Sequence, residues 1–158
     1  MYKKIILFLI INLSIISTYG QFSLDANGIT IKCPGASAGD TGVVGGVTYT
    51  AVDLALLISK RNAGDDLSLC CTTLVTSMIG IFQNKTIFND NISSWDMSNV
   101  TDMERMFKEA RAFNQDIGAW DTSNVTTMEE MFYDARAFNQ NLNDWDVSNV
   151  TNMQSMFA

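Results

Sequence analysis

The sequence predicts an α/β repeat solenoid of 25-residue coils, each a short strand plus a short helix, behind a small N-terminal β-rich cap. Three observations carry that expectation. The phrase W-D-x-S-N-V-T-x-M-x-x-M-F begins at Trp95, Trp120 and Trp145, always 25 residues apart. Within each copy the apolar residues after the threonine follow helical spacing, as at Met103, Met106, Phe107 and Ala110. The rest of the unit, such as "FNQDIGAWDTSNV", spaces its large apolar groups like an extended segment with turns.

Taken in order, residues 1–20 have the layout of a secretory signal peptide: Lys3 and Lys4, an apolar run from Ile5 to Ile16, then Thr18 and Gly20 before a cut at Gln21. The run is shorter than the ~20 apolar residues a membrane span requires, so the mature chain carries no span here. Residues 21–69 do not repeat. "NGITIKCPGASAGDTGVVGGVTYTAVD" is rich in Gly, Thr and Val and reads as short strands joined by turns. "DLALLISKRN" reads as a short helix capped by Asp53 and ended by "AGDD".

Residues 70–158 form the repeat region: one degenerate copy, two full copies and one truncated copy. In the degenerate copy Val75, Thr76, Met78, Phe82, Phe88, Asn89 and Ile92 hold the registers of Val100, Thr101, Met103, Phe107, Phe113, Asn114 and Ile117, but the tryptophan is missing. A worn first repeat and a period of 25 suit a leucine-rich-repeat-like array. The last copy stops at Ala158, straight after its Met-Phe pair, and reads as a fragment of a longer array.

Each repeated letter has an expected physical role. "TDME", "TTME" and "TNMQ" read as capping boxes that open short helices. Stacked coils would place Trp95, Trp120 and Trp145 in one core column, with Met103, Met128 and Met153 in a second and Phe107, Phe132 and Phe157 in a third. Asn99, Asn124 and Asn149 suit sharp turns and can bond along their column. The sequons "NVT" and "NIS" are by-products of this grammar. Asp96, Asp121 and Asp146 follow the tryptophans. They read as acceptors for the turn that follows, with calcium between stacked carboxylates as an alternative. A catalytic carboxylate pair is disfavoured, because catalytic groups are normally unique and these recur. A repeated Met-x-x-Met-Phe reads as core, not as a cofactor site. The variable positions Met97, Thr122 and Val147, then Asp102, Thr127 and Asn152, and also Lys108 and Tyr133, are candidates for an exposed face.

Composition narrows the chemistry. There is no histidine, which removes His ligands and Ser–His or Cys–His nucleophiles. Without Lys3 and Lys4 the chain has 8 basic and 17 acidic residues, a balance that repels phosphate backbones and makes nucleic acid a poor partner. The three cysteines, Cys33, Cys70 and Cys71, allow one disulfide after export. Cys70 and Cys71 are too close in sequence to bond each other readily.

"FNQDIGAWDTSNVTTMEEMF" and "FNQNLNDWDVSNVTNMQSMF" resemble the repeats of BspA-like leucine-rich-repeat surface proteins, a bacterial family of unknown function. The resemblance spans about residues 28–158, including a leader similar to that of secreted members. It implies an exported or cell-surface protein, with adhesion inferred for some members, and supplies no catalytic residue and no cofactor. One cysteine typically precedes the first repeat in that family. Cys71 matches it best, so the resemblance implies a Cys33–Cys71 disulfide. The resulting expectation is a binding or adhesion scaffold for an extracellular protein or glycan, not an enzyme. The alternative is a structural spacer, or an accessory region of a larger surface enzyme whose catalytic domain lies elsewhere.

Overall fold

The computed structural model describes residues 22–158; the signal-peptide reading of residues 1–20 lies outside them. The leader builds two small sheets. β1 (Ser23–Leu24) pairs antiparallel with β2 (Ile31–Lys32). β3 (Thr41–Val44) and β4 (Val47–Ala51) form a hairpin, and β5 (Cys70–Cys71) joins β4 in parallel. Between β4 and β5 lies the helix α1 (Leu54–Ala63). The Asp53 carboxylate accepts from the Leu56 amide, and Gly64, at φ 76°, ends the helix in the left-handed region.

The α/β repeat solenoid expected from the sequence does not form. The described residues hold one α-helix, and it lies in the leader; the two small sheets contain five strands in all. From Thr72 onward the repeats contain neither helix nor multi-residue strand, only chained turns and single parallel bridges linking Ser77, Asp102, Thr127 and Asn152. The short strand expected in each coil is absent as well: within "FNQDIGAWDTSNV" the Trp120 amide closes a turn on the Ile117 carbonyl at 3.2 Å.

The segment expected to be helical shows why. After Asp102 its amides alternate between two kinds of partner. Those of Met103, Arg105, Phe107 and Glu109 donate to Thr127, Glu129, Met131 and Tyr133 of the next repeat at 2.7–3.1 Å. Those of Met106, Lys108 and Ala110 donate three residues back within their own repeat at 2.9–3.2 Å. Every second residue is therefore committed to a neighbour, and an i→i−4 ladder cannot close. The packing distance enforces the choice. Phe82, Phe107, Phe132 and Phe157 stack with ring centroids 5.4–5.5 Å apart. An α-helix is about 10–12 Å across, too wide to recur at that spacing. The capping boxes fail with the helix: the Glu104 amide bonds the Asp102 carboxylate at 2.8 Å, and the Thr101 hydroxyl donates back to the Thr76 carbonyl.

The chained turns require left-handed backbone at fixed places. Gly80, Arg105, Glu130 and Ser155 share one register, with φ between 50° and 57°. Asn84, Glu109 and Asp134 share another, between 52° and 61°.

One apolar core runs the length of the stack, from Val52 and Leu57 through Trp95, Phe107 and Phe113 to Trp145 and Met156. A second, smaller core in the leader holds Ile31, Cys33, Ala36, Ala51 and Cys71. Cys33 and Cys71 are disulfide-bonded there, with Cα atoms 6.3 Å apart. Successive strand residues face opposite ways, so Cys70 lies in the main core as a free thiol while Cys71 lies in the small one. Among the described residues no helix is long and apolar enough to cross a membrane.

Candidate interaction surface

The polar letters of the repeat divide between holding the stack and facing solvent. Each tryptophan indole donates to a carbonyl of the coil before it: Trp95 to Leu67, Trp120 to Ile92 and Trp145 to Ile117, at 3.0–3.2 Å. All three rings are buried. The indole N–H is thus satisfied inside an apolar column, which burial of a tryptophan demands. Met103, Met128, Phe107 and Phe132 are buried beside them, whereas Met153 and Phe157 in the last repeat are 40% and 64% exposed.

Asp96 and Asp121 each accept from the amide and hydroxyl of the serine two residues on, at 3.1 and 2.6 Å. Asp146 takes the Ser148 amide at 2.9 Å, a bond that holds its carboxyl below the usual range. Asp96 is buried, and its second oxygen receives the Thr73 hydroxyl at 2.7 Å. These carboxylates close turns. Among the described residues, no group of three or more Cys, Asp or Glu is placed to hold a metal ion.

Asn99, Asn124 and Asn149 donate their side-chain amides to the carbonyls of Thr73, Ser98 and Ser123 at 2.7–2.9 Å. A second asparagine column works the other way. The Asn89 and Asn114 carbonyl oxygens accept the backbone amides of Asn114 and Asn139, together with Gln115 and Gln140 side chains, at 2.8–3.0 Å. Asparagine columns therefore grip neighbouring backbone rather than one another.

What remains outward is regular. In each "NVT" the asparagine and threonine are exposed around a more buried valine, giving one rank of Asn99, Asn124 and Asn149 and a second of Thr101, Thr126 and Thr151, which Thr76 of "LVT" extends. Each threonine hydroxyl from Thr101 onward donates to the previous threonine carbonyl at 3.0–3.3 Å, leaving its oxygen lone pairs and methyl toward solvent. The half-buried Asp102, Thr127 and Asn152 follow on the bridged positions.

The next rank outward is charged. Glu130 receives Arg105 at 2.6 Å and Lys108 at 2.8 Å. The Lys108 bond, then the Arg105 bond, holds its carboxyl below the usual range. Lys108 also lies 4.8 Å above the Tyr133 ring. Asp134 is held down in the same way by Arg136 and Arg111.

Of the variable positions, Met97 and Thr122 are buried, so the residue after the aspartate faces inward except at Val147. The variable face is carried instead by Asp102, Thr127, Asn152, Lys108 and Tyr133. The paired asparagine and threonine ranks were not singled out as a surface from sequence. Their signal was present in the Asn-Val-Thr alternation, an out–in–out pattern of period two.

Comparison with known proteins adds one assignment. No curated protein and no solved structure matches the chain. A family signature matches residues 53–158, which takes in α1 and the whole repeat stack, and the chain belongs to the family described as Mycoplasma protein of unknown function, DUF285.

Proposed function

We propose that this protein is an exported surface scaffold that binds an extended protein or glycan partner through the asparagine–threonine face of its repeats. One observation carries the reading: exposed polar side chains recur in straight ranks on a core that does not require their outward atoms. Neighbouring strand-like segments in a parallel stack lie about 4.8 Å apart, so the face presents hydrogen-bonding groups at a fixed pitch. A ligand with its own repeat, such as a polysaccharide or an extended peptide, can engage several ranks together and gain from multiplicity. Export is supported by the signal-like residues 1–20 and by the resemblance of the repeats to surface proteins.

The test is retention of the exported chain on surfaces coated with defined polysaccharides and extracellular matrix proteins, compared with a Thr126→Lys variant. Thr126 is exposed; the change removes its hydroxyl bond to the Thr101 carbonyl but leaves the backbone bonds of Thr126 to Thr101 and Thr151 in place. Binding by the parent that is lost in a variant with an unchanged melting profile supports the reading. Binding that is indifferent to Thr126→Lys, or no retention on any surface, overturns it. N-terminal sequencing of exported material should begin at or near Gln21.

A further inference from the structure

The hydrogen bonds of the tryptophan column extend the 25-residue register into the leader. Trp145 donates to Ile117, Trp120 to Ile92 and Trp95 to Leu67, always 28 residues back. Leu67 therefore occupies the place that Ile92 holds in the next coil. By the same count Ala63 and Gly64 stand at the registers of Phe88 and Asn89. The phenylalanine column runs Phe138, Phe113, Phe88, with centroid spacings of 5.9 and 5.8 Å. Its next position falls where the chain is finishing α1 and has a methyl group and a glycine instead of a ring.

A pocket of about 290 Å³ lies at that place, lined by Leu67, Phe88, Ile87, Arg61, Lys85 and Asp90 among others. It is roomy for one ring, since a cavity of about 150 Å³ already admits benzene. Its walls depart from the repeat pattern. Ile87 is 89% exposed where the later repeats have Ala112 and Ala137. Lys85 replaces Ala110 and Ala135, and Asp90 replaces Gln115 and Gln140, whose amides bond the preceding asparagine. Asp65 is paired with Lys60, and Arg61 is engaged with the Ile81 carbonyl and Asn62. Lys85 and Asp90 have no ion-pair partner among the described residues, which leaves one charge of each sign on the rim.

We propose that this pocket receives an aromatic side chain of a partner peptide, seated as the missing ring of the Phe88–Phe113–Phe138 column. Leu67 and Phe88 form the apolar floor, Ile87 folds against the edge of the ring, and Lys85 and Asp90 meet polar groups of the peptide on either side. The site is separate from the asparagine–threonine face, and neither depends on the other.

The experiment is a titration of the isotope-labelled exported chain with N-acetyl-phenylalanine amide and, separately, with N-acetyl-leucine amide, followed by NMR. The expected result is amide shifts confined to Leu67, Ile87, Phe88 and their neighbours, and upfield movement of the ligand ring protons over Phe88. The phenylalanine amide should bind at least about threefold more tightly, as ring stacking adds to burial. Phe88→Leu keeps an apolar floor and should remove the preference. Equal binding of the two amides, shifts mapping elsewhere, or no shift at tens of millimolar ligand (roughly the weakest affinity worth measuring) overturns the proposal. The map on the parent protein decides the matter even if Phe88→Leu does not fold.

Discussion

Trp120 shows how much one position carries. Its ring lies between the coils of Trp95 and Trp145, 6.4 Å from the Trp145 ring, and its N–H satisfies the Ile92 carbonyl. Trp120→Ala removes a buried aromatic and one of the two donors to that carbonyl, which keeps the Trp95 amide. It should cost about 3–5 kcal/mol, read from the denaturant midpoint of purified protein. The left-handed residues make a finer prediction. Glu109 sits half-buried at φ 59°. Glu109→Gly should be close to neutral, because relief of the left-handed backbone offsets the entropy glycine adds to the unfolded chain. Glu109→Val should lose about 1–2 kcal/mol, since a branched side chain is poorly tolerated there. Equal melting temperatures for the two would contradict the chained-turn backbone. The burial of the three tryptophans and of Met103, Met128, Phe107 and Phe132 was legible because burial is written in residue type, whereas Met153 and Phe157 of the last copy are exposed. The left-handed positions were written only once, in the degenerate copy: Gly80 and Asn84 are the residue types that such backbone favours. Arg105, Glu109, Glu130 and Asp134 hide them in the copies that look most regular.

At the scale of the element, the helix expected in each repeat and the helix found in the leader differ in what surrounds them. α1 has a carboxylate cap and a glycine stop, and its amides close on its own carbonyls. The repeat segment has the same apolar spacing, yet its backbone lies within bonding distance of another copy on each side. Periodicity alone cannot distinguish a helix from turns of similar pitch, and the competing partner decides. The charged rank then becomes a property of the stack. Glu130 bridges to Arg105 and Lys108 in the preceding repeat, and these bonds depress its carboxyl. A carboxylate depressed in the folded state stabilises above its unfolded pKa of about 4.3 and loses that contribution as pH falls through the folded value. Glu130→Gln should therefore melt below the parent at pH 7, by a margin that salt reduces. Once pH has fallen through the folded value the two should converge. A gap that persists at low pH would assign the difference to packing instead.

Across the whole molecule, two cores meet at β5. Cys71 ties the leader to the start of the repeats through Cys33, while Cys70, one residue away, faces the main core, where burial pushes its thiol up to about 11. The 25-residue period was legible from sequence, and so was most of the core, although Met153 and Phe157, expected in it, are exposed. The build of each coil was not, because it depends on the spacing between copies, a quantity that no single copy contains. That spacing also has a mechanical consequence. The bonds between repeats lie along the stacking direction, while the chain within each coil runs across it. A load applied between the leader and the last repeat therefore pulls each interface open in series, one coil at a time. Each released coil of 25 residues lengthens the tether by about 85 Å at about 3.4 Å per residue. The Cys33–Cys71 link takes the load at the leader and keeps that end closed until it is reduced. In single-molecule pulling this predicts a sawtooth of low, evenly spaced force peaks, with an additional extension only after a reductant is added. A single tall peak would mean that the coils yield together.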